Sequence, residues 1–179
     1  MANKKKIVII IIAMVVVIGG GTGIGLWLHH RSTVKQANSA STSSVAAAKA
    51  AKIKNALSLD YSSQGLTTFP KEILTATKTT SLSLTNNQLG GTLPAEIKQL
   101  TQLENLDVSN NKMTGIPAEI GQLSNLKILN YANNQITGLP LELGNLTGLQ
   151  VLDLSGNPNL SQHDLSLVKA KLPNTNIRQ

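Results

Sequence analysis

The chain contains no cysteine. That excludes disulfide staples, thiolate metal sites and cysteine nucleophiles together. Aromatic residues make up 2% of the sequence, which excludes a platform of stacked rings for single-stranded nucleic acid. Acid is missing from the whole first third: residues 1–55 hold eight Lys or Arg and no Asp or Glu, a charge of +8. Residues 56–179 hold eight bases and nine acids, a charge of −1. The overall +7 therefore describes the amino-terminal segment and not a basic face for nucleic acid.

The first feature present is a long apolar run. Residues 7–28 read IVIIIIAMVVVIGGGTGIGLWL, 22 residues without a charge. A helix of this length spans roughly 33 Å, the hydrocarbon thickness of a bilayer. Lys4 to Lys6 flank one end, while Trp27, His29, His30 and Arg31 flank the other, with the aromatic suited to the interface. The spacing predicts a transmembrane helix over 7–28 behind a short basic tail, 1–6. A cleaved signal peptide is the alternative; its apolar region runs about 7–15 residues to a small-residue cleavage site, and this run is longer. The amino-terminal lysines favour a cytoplasmic tail and a domain outside the cell membrane.

Gly19, Gly21, Gly23 and Gly25 lie inside that run. A dinucleotide-binding loop needs a short preceding strand and an acid about 20 residues on, and neither is present. Pairs of glycines four apart do allow two membrane helices to approach closely, so a homo-oligomer through these glycines is an expectation.

Residues 29–44 are small and polar and read as a flexible linker. Residues 45–56 are rich in alanine and lysine and read as a helix capping the carboxy-terminal part of the chain, with Ile53, Ala56 and Leu57 on one face.

The remainder is periodic. Leu103, Leu126 and Leu149 stand 23 apart, as do Leu106, Leu129 and Leu152, and Asn111, Asn134 and Asn157. Leu82, Leu84 and Asn87 repeat the pattern upstream, and Pro70, Pro94, Pro117 and Pro140 mark one position in four units. In L-x-L the leucines face inward and the intervening residues outward. Leu103, Leu106, Val108, Met113, Ile116, Ile120 and Leu123 are the expected inward set of one unit. No single unit can bury its own apolar side, so stability must come from stacking.

This pattern, L-x-x-L-x-L-x-x-N-x-L with LPxEIxxL after it, resembles the leucine-rich-repeat family over residues 57–160, with units of 23–24 residues of the bacterial and plant kind. The resemblance implies an α/β solenoid: a right-handed coil with a short parallel sheet on its concave face. It also implies a hydrogen-bonding ladder of Asn87, Asn111, Asn134 and Asn157, with Gln64 as a cap-like departure. Residues 161–179 are expected to close the core, through Leu165, Leu167, Val168 and Leu172, with Ile177 in a last strand.

The outward residues then define the candidate partner-binding face: Asn105, Asp107 and Ser109; Ile128, Asn130 and Ala132; Val151, Asp153 and Ser155. Asp60, Ser83, Asp107, Asn130 and Asp153 form one column across it. The bland reading is ordinary repeat consensus, in which small polar residues tolerate a crowded face. No cofactor, metal site or catalytic set is implied: the acids in the column are interrupted, His163 is isolated, and no Ser-His-Asp spacing is apparent. The expected partner is a protein or a glycan. The rival class is a structural envelope protein that assembles through its glycine-rich helix.

Overall fold

The computed structural model describes residues 46–179. The tail, the apolar run with Gly19, Gly21, Gly23 and Gly25, and the linker lie outside these residues. Among the described residues no helix is long and apolar enough to cross a membrane.

The chain opens with helix α1, residues 46–54. Strands β1 (Ser58–Asp60), β2 (Ser81–Ser83), β4 (Asn105–Asp107), β6 (Ile128–Asn130) and β7 (Val151–Asp153) come next at one per coil. Helix α2 (Gln162–Lys171) and strand β8 (Asn176–Arg178) end it. The six strands form one parallel sheet in the order β1-β2-β4-β6-β7-β8. The register is uniform, with Leu59, Leu82, Leu106, Leu129, Leu152 and Ile177 side by side. Two-residue strands β3 (Gly90–Gly91) and β5 (Lys112–Met113) add a second small parallel ladder.

Consecutive parallel strands need a crossover on the far side of the core. Here it is a five-residue 3-10 segment in each full coil: Lys71–Thr75, Ala95–Gln99, Ala118–Gln122 and Leu141–Asn145. The regular prolines stand immediately before these segments. Their φ values, between −66 and −71°, suit the pyrrolidine ring, and each carbonyl accepts the N–H three residues on, as in Pro94 with Ile97 at 3.0 Å. Glycine enters where these segments crowd together. A Cβ at Gly121 would collide with the backbone of Glu142 in the next coil, and one at Gly144 with the side chain of Lys171.

The core is continuous along the stack. All seven expected inward residues of the third unit are buried, with Ile116 the most accessible of them at 6%. Where the second unit replaces the repeated leucine by Thr79, the side chain is fully buried and its hydroxyl donates to Ala56 O at 2.7 Å, tying the coil to the amino-terminal cap.

Both caps differ from the reading of the sequence in one residue. Ile53 is buried and Ala56 packs on the core, but Leu57 is 64% exposed. The helix has already ended at 54, so its periodicity does not carry to position 57. In α2, Leu165 and Val168 face the core, and Leu172 packs beyond them, while Leu167 is exposed. It falls about 100° from Val168 on the helix and points to solvent. Ser161 caps α2 by accepting Asp164 N–H at 3.2 Å, and Asp164 in turn accepts Leu139 N–H at 3.2 Å. This latches the cap to the fourth coil.

Candidate functional site

The sheet presents two outward columns. One is Ser58, Ser81, Asn105, Ile128, Val151 and Asn176; the other is Asp60, Ser83, Asp107, Asn130, Asp153 and Arg178. Their presentation depends on the turns after each strand. The buried asparagines hold those turns. Asn111 Nδ2 donates to Leu84 O and Val108 O, both at 3.0 Å, and to Ser109 O at 3.1 Å, while its Oδ1 accepts Leu89 N–H at 3.0 Å. Asn87, Asn134 and Asn157 repeat this arrangement, each reaching the preceding coil. The result satisfies backbone groups that burial would otherwise leave unpaired.

The residue before each ladder asparagine lies in the left-handed region: Asn86, Asn110 and Asn133 at φ 54–56°, with Gly156 in the same place. Asparagine tolerates that region better than most side chains. Asn133 Nδ2 also donates to Asn110 Oδ1 at 2.9 Å, making an exposed edge beside the concave sheet. The doubled Asn-Asn was the available signal for this row, and sequence reasoning used only its second member.

The acidic column has structural employment. Asp60, Asp107, Asn130 and Asp153 each accept the backbone N–H two residues on, from Ser62, Ser109, Ala132 and Ser155, at 2.9–3.0 Å. These short side-chain loops end the strands. The second oxygens are engaged across coils: Asp107 Oδ2 accepts from Asn130 Nδ2 at 3.0 Å, and Asp153 Oδ2 meets Arg178 Nη1 at 3.4 Å. Arg178 was not placed in the column from the sequence, because the register of the last strand could not be read there. Two residues of the expected face are withdrawn from it. Ser109 and Ala132 are buried, at 7% and 9% exposure, because the chain is already turning inward after the strand.

Electrostatics follow from these bonds. The Ser62 hydroxyl and N–H hold Asp60 below the usual carboxylate range. For Asp153, partial burial pushes upward, but the Ser155 hydroxyl and N–H and the Arg178 guanidinium outweigh it, and the net shift is downward. The strip is thus a charged but largely self-bonded surface. Ile128 breaks its polar character: it is 41% exposed, directly opposite half-buried Val151 and Asn105 on the neighbouring strands. Among the described residues no group of three or more His, Cys, Asp or Glu is placed to hold a metal ion.

A one-strand-per-coil parallel sheet, a 3-10 crossover and an asparagine ladder together define a leucine-rich solenoid. A family profile described as leucine-rich repeat region matches residues 57–171. The chain belongs to the leucine-rich-repeat family. It is similar to a leucine-rich-repeat protein of Leptospira interrogans, at 36% identity over 70% of this chain and 38% of that one, with a TM-score of 0.58. It is similar to the plant peptide hormone receptor RGFR1, solved in complex with RGF2, at 36% identity over 70% of this chain and 20% of the receptor, TM-score 0.59. An internalin of Listeria monocytogenes aligns at 26% identity over 72% of this chain and 36% of its own, TM-score 0.61. The chain therefore spans well under half the length of each of these proteins. No curated protein matches it.

Proposed function

We propose that the chain is a membrane-anchored interaction module that displays its concave sheet outside the cytoplasm to a protein ligand. The observation that carries this reading is exposed Ile128, beside half-buried Val151, toward the carboxy-terminal end of a polar strip. An apolar spot bordered by hydrogen-bonding side chains is an arrangement that binding surfaces use. Likeness to a receptor solved with its peptide hormone supports a binding role. The anchor rests on the 22-residue uncharged run at 7–28, and residues 29–44 serve as a spacer. The strip's acids are bonded into the fold and lie on an open sheet, so recognition and not catalysis is its work.

Within the strip, Asn105, Asp107, Ile128, Asn130, Val151 and Asp153 carry the contact, and Ser155 borders it. Buried Ser109 and Ala132 hold Asp107 and Asn130 in place through their backbone N–H groups.

The experiment is protease shaving of intact cells that produce the full chain. Loss of the repeat domain without lysis supports anchoring and outside display. A repeat domain degraded only after lysis would end the reading.

A further inference from the structure

The sheet has two edges, and β1 is the amino-terminal one. Its backbone alternates. Leu57 O accepts from Thr80 and Ser81, and Tyr61 N–H donates to Ser83 O, so the groups of the odd-numbered residues face β2. The N–H and C=O of Ser58 and Asp60 therefore point away from the sheet. Among the described residues no backbone group meets them, and Asp60 O accepts only a long bond from the Gln64 side-chain Nε2, at 3.5 Å. An edge with no neighbouring strand is a template for one.

This edge lies in a cleft. Helix α1 stands beside it, and between them is a space of about 510 Å³ lined by Lys49, Lys52, Ile53, Ser58, Asp60 and Tyr61. The helical wall is cationic, since 46–54 holds three lysines and no acid. Neither Lys49 nor Lys52 forms an ion pair among the described residues. The floor is apolar, from Ile53 and Leu59. Three residues of edge, about 10 Å, suit a short extended peptide.

We propose that this cleft binds an extended peptide segment that adds to β1 as a strand, places an apolar side chain over Ile53 and Leu59, and directs carboxylates to Lys49 and Lys52. Backbone pairing supplies affinity and the flanking side chains supply selection, as in strand addition elsewhere. Charge decides the occupant. The chain's own segment 32–44 contains no acid, and its other edge strand carries Arg178, so neither matches the cationic wall. The site is separate from the concave strip and does not depend on it.

The test titrates the full chain with fluorescein-labelled acetyl-Thr-Glu-Ile-Glu-Thr-amide and its Gln-for-Glu counterpart. The Glu peptide is expected to bind about tenfold more tightly. The pair Lys49→Glu and Lys52→Glu removes that preference. Ser58→Pro deletes an outward N–H without breaking the existing ladder, so it abolishes binding while the melting temperature holds. Ile128→Glu leaves binding intact, which separates this cleft from the concave strip. Equal binding of the two peptides overturns the proposal, as does full binding by Ser58→Pro or loss of binding in Ile128→Glu. Conversion of a dimer to monomer by the peptide would assign the edge to a second copy and also overturn it.

Discussion

Asn111 Nδ2 donates to the carbonyl of Leu84 in the preceding coil at 3.0 Å. The two residues are 27 apart in sequence, and this bond, with its three companions on the same side chain, fixes how one coil sits on the next. Asn111→Ala is expected to destabilise the domain by about 1–3 kcal/mol, since buried carbonyls and one N–H lose their partner. Asn111→Asp should cost at least as much, because a carboxylate cannot donate to those carbonyls. Urea denaturation of the two variants checks both. A wild-type midpoint in either would remove the ladder from the account.

Tyr131 occupies the place of Leu84, Val108 and Leu154 in other coils and is fully buried. Among the described residues its hydroxyl has no hydrogen-bond partner. Tyr131→Phe is therefore expected to be neutral or stabilising by up to about 1 kcal/mol. Burial also pushes the phenol's pKa up. Such a raised group stabilises fully below the unfolded value, about 10, and loses that contribution as pH rises beyond it. Thermal melts from about pH 9 to 11 should show wild type weakening more than Tyr131→Phe. A Phe variant clearly less stable at neutral pH would show that the hydroxyl is paired.

Much of this was legible beforehand. The leucine spacing predicted the inward set, because stacked parallel strands impose one register on every coil. The position of Arg178 in the acidic column was not legible, since the last strand lacks the repeat's L-x-L. The withdrawal of Ser109 and Ala132 was missed because period-2 alternation stops at the strand end, where Asp107 and Asn130 bend the chain. The 23-residue spacing also says nothing about coil separation on the convex side. Only Gly121 and Gly144, small residues where the second coil has Lys98, hinted at it.

Gly121→Ala tests that close approach. The new methyl would meet Glu142 O, so a loss of about 1–3 kcal/mol is expected. Gly148→Ala, whose Cβ would stand 3.8 Å from Ser124 O, should change stability by less than about 1 kcal/mol. Parallel calorimetry of the two compares them, and equal effects would contradict the packing described for the 3-10 segments.

Asp153 has a lowered folded pKa, so its contribution is present above the unfolded value of about 3.9 and lost as pH falls through the folded one. Asp153→Asn keeps an acceptor for Ser155 N–H, as Asn130 does for Ala132. Its cost at neutral pH should be under about 1 kcal/mol, and its stability should decline less than wild type between about pH 5 and 2. Denaturant midpoints across that range give the comparison. A decline as steep as wild type would mean that Asp153 does not supply the acid sensitivity.

The central claim is that the concave strip around Ile128 is where a ligand docks. Site-specific photo-cross-linking in the native cell tests it most directly, with the probe at Ile128 or at exposed Glu96 on the convex side. The account predicts one discrete adduct from position 128, lost when Asp107→Lys is added, and none from position 96. The same adducts from both positions, or an adduct from 96 alone, would contradict it.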